Sequence, residues 1–342
     1  MRAARNWATK ALDSPQPTQR DKGSSLSRLS DEMKQQQHGG GEPLGLNAAT
    51  GKCNNAQRYG LGKGNGGAPS PALLTSNIKN ARTLEELFRT VAKNIDFFNH
   101  IHLSACWNSL GHLAWAADKS WFQEHANVLE LLVQHTARKV SNGSDIRGRE
   151  LANITHGVAK SGRGTTMCAL MMALAKSIES RLHDCNAQEI ANISWGFAKA
   201  GHLNAELFAA LARAAERRLD NFKGQELANT AWGFATGGYE DAALFAAMAR
   251  MVERRLADFN VQGLVNTAWA FAKAGHADAP LFRAMAKVCL QRVSEFNAQD
   301  TAHTAWAFAK AGHFDAELLA ALAGAAQRHL ERSPPTRPHI RR

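Results

Sequence analysis

Apolar residues recur at helical spacing through most of the chain after residue 82. Ile190, Ile193 and Phe197 fall on one face of a helix, and Phe208 and Leu211 begin a similar stripe in the next segment. Neither segment shows the strict alternation of apolar and polar residues that is typical of a strand. The pattern predicts an all-α protein built from pairs of helices, here called helix A and helix B.

The helix pairs repeat with a fixed period, which is clearest around four tryptophans. These tryptophans are 37 residues apart in closely similar sequences, and they are Trp195, Trp232, Trp269 and Trp306. A weaker copy has His156 at the tryptophan position, and a still weaker copy has Trp115 there. A single helix pair leaves its apolar faces exposed, whereas stacked pairs bury them in one continuous core. We therefore predict a right-handed α-solenoid of about six helix-turn-helix repeats of 37 residues.

Residues with special backbone roles mark the ends of both helices. Helix A is predicted to begin after a capping asparagine, which is Asn186, Asn260 or Asn297 in three copies. It is predicted to end at a glycine in the left-handed conformation, which is Gly201, Gly238, Gly275 or Gly312. Helix B then begins after Asp278 or Asp315 in two of the copies.

Composition divides the chain into three segments. Residues 1–80 are basic and rich in glycine and proline, so we expect them to be disordered. Their first twelve residues contain no acid and carry Arg2, Arg5 and Lys10, which fits either an organellar presequence or an untargeted basic tail. Residues 81–332 are the predicted solenoid, in which residues 83–94 would be a lone B-type helix that caps the array. Residues 333–342 form a basic, proline-rich tail.

The charge balance favours a polyanionic partner. Lys and Arg number 41 against 30 Asp and Glu, and the pI is near 9.7. No apolar run is long enough to cross a membrane, so we expect no membrane contact. The five cysteines are scattered without a C-x-x-C pair, which argues against a zinc site or a disulfide framework. We expect a reducing compartment, no metal and no cofactor.

A second stripe on helix A carries the candidate chemistry. Its members recur at spacings of three and four residues, which place them on one side of a helix. They are Gln188, Asn192, Trp195, Lys199 and His202, then Gln225, Asn229 and Trp232, then Gln262, Asn266, Trp269, Lys273 and His276, and finally Gln299, His303, Trp306, Lys310 and His313. Aromatic rings stack on bases, amides bond to base edges and lysines pair with phosphates. The stripe therefore predicts binding of single-stranded RNA.

Each type of residue in the stripe also has a structural interpretation. The tryptophans would stabilise the core by burial, and the asparagines would bond to backbone in the turn between repeats. The lysines would end a solvated helix, and the direction of the histidines beyond the cap is open. We interpret Arg217, Arg218, Arg254 and Arg255 as solvated helix ends that could widen a basic rim.

No known catalytic motif stands out. The sequence contains no G-x-S-x-G or H-E-x-x-H, and its glycine-rich run at residues 60–67 lacks the Lys-Ser/Thr ending of a phosphate loop. We therefore expect that the protein is not an enzyme and has no small-molecule substrate.

The repeated sequence Leu-Ala-Asn-Thr-Ala-Trp-Gly-Phe-Ala, followed by Gly-His or Gly-Tyr, resembles known helical-repeat families. It is similar to algal proteins related to octotricopeptide-repeat factors, to the repeats that accompany FAST-kinase-like and RAP-domain proteins, and to subunits of the kinetoplastid RNA-editing substrate-binding complex. The similarity covers residues 98–332, but the proline-rich octotricopeptide signature and a RAP-like domain are absent from the sequence.

The resemblance implies a role in organellar gene expression. It implies RNA binding that supports processing, stability, editing or translation of transcripts, together with other RNA-processing proteins as partners. It favours a mitochondrial location, with plastid or cytoplasm as alternatives. The competing hypothesis is a protein-interaction scaffold of the armadillo or HEAT type, which would hold an extended peptide in the same groove.

Overall fold

A computed structural model describes residues 69–143, 145–162 and 167–332. The chain divides into two compact units, residues 1–58 and 59–342, and the first unit lies outside the described residues. The predicted presequence and the proline-rich tail at 333–342 also lie outside them.

All regular structure in the described residues is helical. The α-helices in chain order are α1 (Pro71–Lys79), α2 (Leu84–Asn94), α3 (His100–Leu113), α4 (Lys119–Glu124), α5 (Ala126–Asn142), α6 (Gly148–Lys160), α7 (Cys168–Glu179), α8 (Ala187–Ala200), α9 (Ala205–Glu216), α10 (Gly224–Gly237), α11 (Ala242–Arg254), α12 (Val261–Lys273), α13 (Ala279–Arg292), α14 (Ala298–Lys310) and α15 (Ala316–Arg332).

These helices form two layers. The A layer contains α1, α3, α6, α8, α10, α12 and α14, and each of these helices packs against the next one in that order. The B layer contains α2, α5, α7, α9, α11, α13 and α15, which pack in the same sequential way. Successive A helices contact one another more extensively than successive B helices, so the A layer is the more closely packed of the two. The prediction of an all-α solenoid is confirmed.

The N-terminal end of the array differs from the prediction. Residues 83–94 do not form a lone capping helix, because α2 packs against α1, which lies inside the segment expected to be disordered up to residue 80. The described array therefore contains seven helix pairs and begins at Pro71. A Ser70 cap and a proline in the first turn start α1, which is short but buries Leu74 and Ile78.

The second repeat also has a different register from the predicted one. In the regular part, Gly196 packs against Thr155, the residue before His156. By the same relation Gly157 packs against Trp107, so Asn108 takes the tryptophan position of that repeat. Trp115, which we had placed there, lies beyond the end of α3. The short inserted helix α4 lengthens this repeat. A fixed spacing therefore does not align its residues with the equivalent residues of the other repeats.

The predicted helix ends are confirmed. The side chains of Asn186, Asn260 and Asn297 accept bonds from the third backbone N–H of their helices at 2.7–2.9 Å. The glycines after the regular A helices have φ between 71° and 74°, and they are Gly201, Gly238, Gly275 and Gly312. These local signals divide the chain into helices of nearly constant length.

Arginines at the ends of the B helices fasten each repeat to the one before it. Arg218 Nη2 donates to the carbonyl of His183 at 2.6 Å, and Arg292 Nη1 donates to that of Phe259 at 2.6 Å. Arg255 bonds to the carbonyls of Asp220 and Phe222. Arg218 and Arg255 are therefore not the solvated helix ends that we expected, whereas the neighbouring Arg217 and Arg254 are exposed.

The close approach of the A helices depends on small side chains. A Cβ atom on Gly233 would lie 2.7 Å from the backbone carbon and 2.8 Å from the oxygen of Ser194 in the preceding A helix. In the later repeats the same position is held by Ala270 and Ala307, which are fully buried.

We predict that Gly233→Ala lowers stability by about 1–3 kcal/mol, because the added methyl group collides with rigid backbone. Gly324→Ala is the matched control, since its Cβ would meet only the end of Arg328 at 3.4 Å. Replacing that helical glycine should raise stability by up to about 1 kcal/mol. Thermal unfolding followed by circular dichroism measures both changes, and a fall of equal size in the two variants would contradict the packing argument.

Candidate nucleic-acid interface

A ladder of aromatic rings runs along the A layer. The ring of His156 lies 5.0 Å from that of Trp195, and the centroids of Trp195 and Trp232 are 6.1 Å apart. The next two separations, from Trp232 to Trp269 and on to Trp306, are 6.4 and 6.0 Å. These are distances between rings in direct contact.

The tryptophans thus act first as packing residues. Each is partly buried against the core, and the interior rings have an aromatic neighbour on both sides. Successive rings are too close for a base to insert between them. These contacts support the structural interpretation of the tryptophans, and each of the four remains partly exposed.

His156 begins the ladder as a neutral ring. Burial lowers its pKa to about 4, with smaller contributions from the charges of Lys160 and His112. An uncharged imidazole can pack against Trp195 without the free-energy cost of burying a charge. This explains how histidine can stand where the later repeats have tryptophan.

The amides of the stripe lie beside the ladder. Asn192, Asn229 and Asn266 are partly buried and make no side-chain hydrogen bond within the described residues. The alternative role of bonding the backbone between repeats is therefore not seen there. The glutamines one turn earlier are exposed, and they are Gln188, Gln225, Gln262 and Gln299. His303 replaces asparagine in the last repeat and is partly buried.

Lysines form a row at the C-terminal ends of the A helices. Lys199, Lys273 and Lys310 are exposed, and Lys160 holds the same position in α6. None of the four forms an ion pair with a carboxylate in the part of the chain that the structure describes. The Lys273 ammonium lies 4.7 Å from the Trp269 ring centroid, and burial lowers its pKa. Thr236 interrupts the row in α10.

Acidic residues of the A helices lie at the opposite ends. Glu189 and Asp300 each bond to the backbone N–H of the capping asparagine three residues before them. At the starts of α6 and α10, Glu150 and Glu226 accept from the backbone N–H of Arg147 and Lys223, which hold the capping position there. The stripe therefore separates carboxylates that are engaged in capping from lysines that are free to bind anions.

The aromatic residues after the glycine caps turn away from this surface. His276 stacks on Phe245 at 4.7 Å, and His313 stacks on Phe282 at 5.1 Å. Tyr239 stacks on Phe208 at 4.3 Å. Each contact joins one repeat to the B helix of the preceding repeat, and His202 is partly buried at the equivalent position. The structure thus does not bring the predicted histidines together with the lysine row.

A match to a known family accounts for this regular array. The family model described as RNA-editing substrate-binding complex 6 protein matches residues 123–331, well over half of the chain. The chain belongs to this family. The match confirms the part of the resemblance that concerns the RNA-editing substrate-binding complex, while similarity to algal and FAST-kinase-like repeats stays a prediction. No individual curated protein sequence matches the chain.

The family match covers every A helix that carries the ladder and the lysine row, from α6 to α14. Within the described residues of this family member, no cluster of three or more His, Cys, Asp or Glu side chains could hold a metal ion. None of its described helices is long and apolar enough to cross a membrane. Burial raises the pKa of the Cys185 and Cys289 thiols to about 12, so both stay protonated at neutral pH.

The depressed pKa of His156 predicts a pH-dependent stability. The unfolded chain binds a proton near pH 6.5 and the folded chain only near pH 4, so stability is complete above about pH 6.5 and falls as the pH drops towards 4. His156→Phe should remove this part of the acid sensitivity. Midpoints of thermal unfolding at pH 7, 5.5 and 4 test it, and identical pH profiles for variant and wild type would show that His156 does not contribute.

Proposed function

We propose that the chain binds single-stranded RNA through the stripe on the A layer. The observation that carries this proposal is a row of lysines beside a row of asparagines: among the described residues, these lysines have no carboxylate partner and these asparagine amides have no hydrogen bond. Membership of a family named for an RNA-editing substrate-binding complex supports an RNA-editing role. A regular row of cations along one layer of a solenoid suits an extended polyanion.

The two groups of polar residues have different roles in this proposal. Lys160, Lys199, Lys273 and Lys310 contact phosphates and supply most of the affinity. The asparagine and glutamine amides bond to base edges, and the tryptophan ladder keeps the helices at a fixed spacing. The mechanism is occupancy, because the bound RNA is held and presented without any bond being made or broken.

The proposed setting follows from the family. We infer that the protein works with other RNA-processing proteins of an editing complex in mitochondria. The proposal includes no cofactor, no small-molecule substrate and no catalytic step. The scaffold hypothesis differs in one measurable property, since an extended peptide would not require steep salt dependence.

We predict that replacing Lys199, Lys273 and Lys310 together by Glu lowers RNA affinity at least about 100-fold near 0.1 M salt. The slope of log affinity against log salt concentration should become less steep by about 0.7 for each phosphate contact that is lost. Fluorescence anisotropy with a labelled RNA of about 20 nucleotides, titrated at several salt concentrations, measures both quantities.

The chain offers a matched control on the B layer. Arg213, Arg250 and Lys287 are exposed, recur at the same 37-residue period, and give the same change in net charge when replaced by Glu. This variant should bind RNA nearly as well as the wild type. Equal losses in both variants would mean that only net charge matters, and failure of the wild type to bind at low salt would overturn the proposal in favour of a scaffold.

A further inference from the structure

Trp115 is an aromatic side chain that lies outside the hydrophobic core formed by the described residues. It is 86% exposed, whereas the four ladder tryptophans are partly buried in contact with one another. Trp107 is fully buried and donates to Thr136, and Trp121 stacks on His125. Single exposed apolar side chains are common on protein surfaces, so the position of Trp115 in the array carries the argument together with its exposure.

The position of Trp115 relates it to the lysine row. It lies in the 3₁₀ turn Ala114–Ala116, which continues α3 at the C-terminal end of an A helix. One helical turn earlier, Gly111 packs so closely on α6 that a Cβ there would lie 2.9 Å from Lys160 Cβ. Trp115 therefore lies at the same edge of the A layer as Lys160, the first lysine of the row.

The ladder leaves no room for a base between neighbouring rings. Successive tryptophan rings are 6.0–6.4 Å apart and in contact, so RNA that followed the lysines could not insert a base between two of them. An exposed indole beside the first lysine offers a face on which a base can stack. Stacking of a base on such a ring tolerates any sequence, because every base has a π face.

We propose that Trp115 is a stacking platform for a base at one end of the RNA whose phosphates follow Lys160, Lys199, Lys273 and Lys310. This inference rests on the proposed function and adds to it a residue and a direction. Charge on the row holds the backbone, and the indole fixes one terminal nucleotide so that the strand has a defined starting point on the array.

The test uses the full chain and a labelled mixed-sequence RNA. Trp115→Ala should weaken binding about 5-fold to 50-fold, as expected for loss of one stacked base, and Trp115→Phe should retain most of the affinity. The slope of log affinity against log salt should stay as in the wild type, because stacking releases no counterions. The contribution of Trp115 to tryptophan fluorescence is the difference in emission between the wild type and Trp115→Phe. This contribution should be quenched when RNA is added.

The control is Phe97→Ala, which removes another exposed ring. Phe97 is 50% exposed and lies in the turn after α2, at the opposite ends of the A helices, so its loss should leave RNA affinity unchanged. If Trp115→Ala binds like the wild type while the lysine variant loses binding, this inference is wrong and the proposed function stands. If the wild type does not bind RNA at low salt, both are wrong.

Discussion

The close contact between successive A helices is the constraint on which the rest of the structure depends. Gly196 lies against Thr155, and Gly233 lies against Ser194, where a larger side chain would meet backbone. Because the helices approach so closely there, the tryptophan rings that follow the same register come into contact at about 6 Å. Successive B helices contact one another less extensively than successive A helices do.

This geometry accounts for the arrangement of charge. A carboxylate that is engaged in capping stands at the start of α6, α8, α10 and α14, and an exposed lysine stands at the end of α6, α8, α12 and α14. Because the helices stack in register, the lysines form one row and the capping carboxylates lie at the opposite ends of the helices. A polyanion that follows the lysine row therefore does not pass the carboxylates. The arginines at the ends of the B helices do not broaden this basic surface, because they bond to backbone carbonyls of the preceding repeat, as Arg218 and Arg292 do. The result is a surface on which the lysines form a single row. Such a row suits a single strand that lies along it better than a polyanion bound in any orientation.

Features that depend on local sequence could be predicted, and features that depend on distant contacts could not. The cap at Asn186 and the left-handed conformation of Gly201 depend only on residues nearby in the sequence. Because the sequence repeats every 37 residues, the same helix ends can be predicted in the other repeats. The role of Arg255 was missed because its partners lie 33 and 35 residues away in the preceding turn. Trp115 was assigned to the wrong position because α4 shifts the spacing, and His276 was placed on the stripe although its ring packs on Phe245.

The central claim is that RNA lies along the A layer, and its path on the protein can be mapped directly. Photocrosslinking of the full chain to an RNA that carries 4-thiouridine, followed by identification of the modified peptides, reports which helices touch the strand. We predict crosslinks in α6, α8, α10, α12 and α14, with few or none in α9, α11 and α13. Crosslinks concentrated in the B helices, or spread evenly over both layers, would contradict the assignment of the A layer as the RNA-binding surface.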